Sequence, residues 1–114
     1  MDEIVRKLAG IGLPAVVLLI AMATTGLTGA AAITAALAML GPGGMIGGIM
    51  LLGIIGLASD ALTKYGLEAL LLGVYQQRVI NGESKTNLCQ EIDNLPIYRD
   101  LKLILKNSIF SETN

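Results

Sequence analysis

Apolar and ionisable positions divide this chain into two unequal parts. Between Leu8 and Ser59 there is no Asp, Glu, Lys, Arg or His; charges crowd the residues before Leu8 and resume at Asp60. An uncharged run more than twice the ~20 residues that a helix needs to cross a bilayer predicts a membrane or membrane-entering protein. Within the run the pattern is helical. Asp2 and Glu3 suit a helix N-terminus, Ile4, Val5 and Leu8 begin an apolar face, and Gly10, Gly12 and Pro14 predict a bend. Ala15 to Ala23 is a strong apolar helix. Thr24-Thr25-Gly26-Leu27-Thr28-Gly29 then either interrupts or is tolerated. A break gives two short helices, Leu13 to Thr25 and Ala30 to Leu40; tolerance gives one long tilted span. We favour the break.

Gly41-Pro42-Gly43-Gly44 is the clearest turn. On either side of it small residues recur at helical spacing: Ala30, Thr34 and Ala38 before it, and Gly44, Gly48, Gly53 and Gly56 after it. Such stripes let helices approach closely and are the expected helix-packing and oligomerisation positions. From Asp60 the character changes. Asp60, Lys64 and Glu68 fall at successive i, i+4 positions and predict a polar stripe on one helix face, with Ala61, Leu62, Tyr65, Ala69 and Leu72 on another. The segment from Met45 reads as one long helix, or as two joined near Ser59. Asn81-Gly82 is its stop.

After Glu83 the sequence becomes amphipathic. Ser84 is a good N-cap for a helix to about Asp93, with Leu88, Cys89 and Ile92 on one face. Pro96 suits a first helical turn, and the last helix runs to about Ile109. Its Leu101, Ile104 and Leu105 face one way, while Arg99, Lys102 and Lys106 gather opposite as a surface for a membrane or a partner. The expected organisation is therefore all-α. Residues 1–82 form a Gly/Ala-rich hydrophobic membrane region, a hairpin of two spans or several short helices turning at 41–44, and residues 83–114 form a charged helical hairpin and tail.

Composition narrows the function. Hydrophobic residues make up 54% and charged residues 15% of the chain, with a net charge of −1, which removes the basic field a general nucleic-acid binder needs. With no histidine and a single cysteine, Cys89, neither a zinc nor a haem site nor an internal disulfide framework is expected. The Gly-rich turn lacks the Lys-Ser/Thr of a phosphate loop, and no histidine exists to serve as base to a Ser or Cys nucleophile. No catalytic role, cofactor or metal is expected. Arg6, Lys7 and the apolar run to Ala21-Met22-Ala23 have the parts of a secretory signal, but Asp2, Glu3 and Pro14 and the continuing apolar character argue against cleavage. Basic residues flank the block on both sides and are absent from the Gly-Pro turn. That asymmetry predicts an integral membrane hairpin with both termini on the cytoplasmic side.

Gly43-Gly44-Met45-Ile46-Gly47-Gly48, Gly53, Gly56-Leu57-Ala58-Ser59 and Leu62-Thr63-Lys64 together resemble the Gly/Ala-rich repeat of the small interferon-alpha-inducible membrane proteins. That resemblance implies residence in intracellular membranes and a role in membrane integrity or cell death. Two functions fit the pattern. In the first, the Leu13 to Ser59 block inserts into the lipid bilayer, self-associates as a homo-oligomer through its small-residue faces and permeabilises the membrane. In the second, the chain is a non-catalytic anchor or accessory subunit that recruits a soluble protein through residues 83–110.

Overall fold

The computed structural model describes residues 2–26, 29–41 and 51–111. Among these, seven helices follow one another: α1 (Asp2–Ile11), α2 (Leu13–Thr25), α3 (Gly29–Leu40), α4 (Ile55–Tyr65), α5 (Leu67–Ile80), α6 (Lys85–Asp93) and α7 (Arg99–Ser111). The described residues contain no strand.

The first break is glycine chemistry. Gly12 takes φ 88°, ψ −139°, a backbone geometry almost closed to other residues, and Pro14 occupies the first turn of α2. As a result α1 and α2 meet at 115°. At the other end of α2, Gly26 adopts the left-handed conformation at φ 73° and its N–H donates to the Met22 carbonyl, 3.1 Å away. The chain therefore breaks at the Thr-Gly cluster, with α3 starting at Gly29. Thr24 and Thr25 turn their hydroxyls back onto the Ile20 and Ala21 carbonyls, so the end of α2 carries no spare side-chain donor.

Every residue of α2 from Ala15 to Met22 is buried. A helix that is apolar all round must be enclosed or lie in lipid. Here it is enclosed, with α3 as its most extensive neighbour and α1, α4 and α5 around the rest. The outer layer is amphipathic: α1 lies along α5, and α7 packs on both α5 and α6. The radius of gyration, 13.0 Å, is close to the ~13 Å of a compact domain of this length.

Several expectations change. No single described helix is long and apolar enough to cross a membrane. At ~1.5 Å per residue, the 13 residues of α2 and the 12 of α3 fall short of a ~30 Å hydrocarbon core. Only α1 and α2 taken together pass on length and composition, and they are sharply bent. The helix expected to run through Glu68 instead breaks at Gly66, at φ 87°, ψ 161°. Asp60 and Lys64 consequently belong to α4 and Glu68 to α5, so the continuous polar stripe does not form, although all three are exposed. The break also shifts the buried face of α5 to Leu70, Leu71, Val74, Tyr75 and Arg78. Pro96 lies in the link before α7, which starts at Arg99. That helix buries Leu101, Leu105 and Ile109 and leaves Ile104 exposed.

Candidate functional site: a buried arginine at the root of an apolar hairpin

Among the described residues, Arg78 is the one buried charged side chain. It sits one helical turn after Tyr75, on the apolar face of α5, so the helix that covers α2 carries a guanidinium into the interior. Two carboxylates meet it. The first arrives through the Asn81-Gly82 stop: Gly82 at φ 94° turns the chain back, the Glu83 N–H donates to the Arg78 carbonyl at 3.1 Å, and the Glu83 side chain returns to the guanidinium. Arg78 Nε donates to Glu83 Oε2 at 2.7 Å and Nη2 to Oε1 at 2.9 Å. The second comes from α6, whose start is fixed by Ser84 accepting from the Asn87 N–H. Nη1 donates to Glu91 Oε2, and Nη2 to Glu91 Oε1 at 3.0 Å. Tyr75 closes the cluster. Its hydroxyl also donates to Glu91 Oε2, and its ring centroid lies 5.2 Å from the guanidinium carbon.

These bonds set the ionisation. Burial alone pulls the Arg78 pKa down, but the hydrogen bonds and charges of Glu83 and Glu91 outweigh it and leave the guanidinium above its ordinary value. Burial, followed by the negative charge of Glu91 and the hydrogen bond to it, holds the Tyr75 hydroxyl well above its ordinary value near 10. No buried side-chain donor or acceptor among the described residues lacks a partner. The cluster thus ties α6, and the α7 that packs on it, to α5 through fully satisfied charges. It also reaches the bend between α1 and α2: a Cβ placed on Gly12 would stand 4.0 Å from Arg78 Nη2.

A groove of about 530 Å³ opens beside the cluster, between Leu13 and Val17 of α2, Met39 and Leu40 of α3, and the Leu95-Pro96 link, with Glu91 on its wall. Among the described residues no charged side chain other than Arg78 is buried.

Of the residues picked out in the sequence, Ala30, Thr34 and Ala38 all lie on the exposed side of α3, whereas Ala32, Ile33 and Ala36 are buried. Gly53 and Gly56 are exposed, and a Cβ on Gly56 would meet nothing within 4 Å. Among the described residues, therefore, these positions do not seat one helix on another. Gly44 and Gly48 lie outside the described residues, as does most of the 41–44 turn. Arg99, Lys102 and Lys106 do come together, lining one cleft of about 320 Å³ between the end of α6 and α7. Two of them are engaged there. Lys102 Nζ donates to the Asp93 carbonyl and Lys106 Nζ to Asp93 Oδ1, each at 2.7 Å, placing cations at the C-terminus of α6 as its dipole favours.

The Arg78 cluster was not singled out by sequence reasoning, although a signal existed. Leu67, Leu71, Val74 and Arg78 fall on one helical stripe, and an arginine on an apolar stripe demands buried partners.

Fold and site together define a small all-helical protein in which the uncharged helix α2 is enclosed by α3 on one side and by amphipathic helices around the rest, the amphipathic layer being tied together by a buried ionic cluster. Compared with family models, with curated proteins and with solved structures, the chain matches none.

Proposed function

We propose that this is a membrane-inserting protein whose α2–α3 hairpin enters the bilayer and, by self-association, permeabilises it. The observation that carries the reading is α2 itself: eight consecutive buried residues with no polar side, on an uncharged helix whose enclosure is supplied by other helices rather than by its own sequence. A folded form that hides such a helix, and a second form in which lipid replaces the covering helices, are two packings of one chain. The bend supplies the geometry for a change between them. Opening at Gly12 joins Leu8 to Thr25 into one uncharged helix kinked at Pro14, up to ~27 Å long at ~1.5 Å per residue, with Arg6 and Lys7 at its headgroup end. Because Arg78 lies against Gly12, release of the cluster and freedom of the bend belong to the same event. The exposed small-residue face of α3, with Ala30, Thr34 and Ala38, is then available to a second copy. The resemblance of residues 43–64 to the interferon-alpha-inducible membrane proteins points the same way.

The test is dye release from liposomes by the purified full-length protein. Release rising more steeply than linearly with protein concentration is the expected result. Stable incorporation without release at any concentration refutes permeabilisation and favours an anchor that recruits its partner through residues 83–110. No association with any vesicle refutes the membrane reading altogether.

A further inference from the structure

The cleft between α6 and α7 is lined by Asp93, Ile97, Arg99, Lys102, Leu103 and Lys106. Three cations face one carboxylate, so two positive charges are left over. Donors are left over as well. Each lysine ammonium carries three and is seen to use one, on Asp93. Arg99, with five, makes no hydrogen bond or ion pair to any described residue. Asp93 thus occupies part of a cationic site whose remaining capacity suits a group bearing about two negative charges and several acceptor oxygens, which is the chemistry of a phosphate monoester.

The surroundings say where such a phosphate would sit. Tyr98 beside the cleft is 62% exposed and Leu103 within it 49%. Leu103 shares its helix face with Phe110, two turns on and 58% exposed, while Arg99 and Lys106 flank the same face at the same spacing. Arg99 and Lys106 lie along one side of this apolar pair and Asp100 and Asn107 along the other, so the helix presents exposed apolar side chains beside a basic edge, as a helix lying in a bilayer interface does. We propose that this cleft binds the phosphomonoester headgroup of an anionic phospholipid of the phosphatidic acid type, with Leu103 and Phe110 resting against the acyl boundary. The proposal depends on the membrane reading above and adds the surface by which the folded form first meets lipid. It also assigns Lys102 and Lys106 two tasks, closing the end of α6 and receiving the headgroup.

The experiment is co-sedimentation of the full-length protein with vesicles of phosphatidylcholine alone or of phosphatidylcholine containing phosphatidic acid. A cation close to an anionic surface contributes about fivefold to the partition coefficient. Binding to phosphatidic acid vesicles should therefore exceed binding to neutral ones by more than tenfold. Arg99→Gln, which breaks no hydrogen bond or ion pair among the described residues, should lower it about fivefold, and Asp93→Asn, which removes the competing charge, should raise it. The Asp93→Asn arm separates recognition from structural loosening by its dependence on lipid charge: recognition raises binding to phosphatidic acid vesicles alone, whereas exposure of the apolar α2 would raise binding to both vesicles and overturn the proposal. Equal binding to both vesicles, or an Arg99→Gln protein that binds as the parent does, would overturn the proposal. So would saturable binding of glycerol phosphate without vesicles at the same phosphate concentration, which would assign the cleft to a soluble ligand. Dye release without preference for phosphatidic acid sinks this site and leaves the membrane reading standing. Arg99-dependent binding without release keeps this site and refutes permeabilisation.

Discussion

Replacing Glu91 by Gln should destabilise the fold far more than replacing Glu83 by Gln, although each carboxylate accepts two bonds from the same guanidinium. The side chains differ in exposure: 16% for Glu91, 40% for Glu83 and 5% for Arg78. Water screens the Glu83 pair and can solvate what its loss leaves, so Glu83→Gln should cost about 1 kcal/mol or less. Glu91 also accepts the Tyr75 hydroxyl. Its amide replacement removes the buried counter-charge and turns an NH₂ toward donors, for which about 2–4 kcal/mol is expected. Arg78→Met leaves Glu91 without its counter-charge and should cost about 3–5 kcal/mol. For a chain of this length each kcal/mol lowers Tm by about 4 °C. Glu91→Gln should then melt roughly 8–16 °C below the parent, and Glu83→Gln within about 4 °C of it. Far-UV circular dichroism on heating and in urea, without lipid or detergent, measures both. Arg78→Met and Glu91→Gln should also combine to less than their sum, because each removes the same bond. A Glu83→Gln protein as damaged as Glu91→Gln would refute the claim that burial sets the value of this cluster.

Three further outcomes follow from local geometry. Gly66→Ala should destabilise by about 1–3 kcal/mol, since φ 87°, ψ 161° is a conformation essentially confined to glycine; Gly10→Ala, inside α1 with open space at its Cβ, should stabilise by about 0.5–1 kcal/mol. Urea titrations of the two should therefore move in opposite directions. Tyr75 keeps its proton in the folded state beyond the pH at which an unfolded tyrosine loses it. Its contribution is therefore fully present below pH ~10 and is lost above it at up to about 1.4 kcal/mol per pH unit. Tyr75→Phe should flatten that alkaline limb, and in the parent part of the tyrosinate absorbance should appear only as helix signal disappears. Ser84→Ala should cost about 0.5–1 kcal/mol by equilibrium denaturation, at the low end for an N-cap because the Asn87 N–H stands 3.4 Å from the hydroxyl oxygen.

What could be read from the sequence was what short-range chemistry decides. The bend at Gly12-Pro14, the break after Thr25, the stop at Asn81-Gly82 and the cap at Ser84 all depend on residues within a turn of one another. The break at Gly66 was equally local, but the i, i+4 series of Asp60, Lys64 and Glu68 masked it: a regular polar spacing persists on paper across a residue that takes φ 87°. The surroundings of the uncharged block were not legible for a different reason. Absence of charge reports that a segment avoids water, and a packed interior satisfies that requirement as well as lipid does. Only helix length separates the two, and α2 and α3 are too short on their own. The Arg78 cluster required knowledge of which helix α6 lies against, because Glu91 reaches Arg78 from 13 residues away. The cation group of Arg99, Lys102 and Lys106 was visible, whereas the use of Asp93 to occupy two of its members was not.

The buried arginine also bears on why the covering layer is held by charge at all. Substituting a buried ion pair by apolar side chains of similar volume is often neutral or stabilising by about 1–4 kcal/mol, so hydrophobic contact at Arg78 would hold α6 at least as well. What an apolar contact lacks is a response to charge: it does not weaken when the local potential changes, as it does at an anionic bilayer surface. Arg78→Met, Glu91→Leu and Tyr75→Phe together test this. Glu83 is partly exposed and can turn to water. The combined protein should be no less stable in buffer than the parent, and more stable than Arg78→Met alone. If release of the cluster precedes insertion, the same protein should nevertheless release dye more slowly at equal vesicle binding. Faster or unchanged release from a fold of equal stability would show that α2 escapes by a route that does not pass through the cluster, and would assign Arg78 to packing specificity alone.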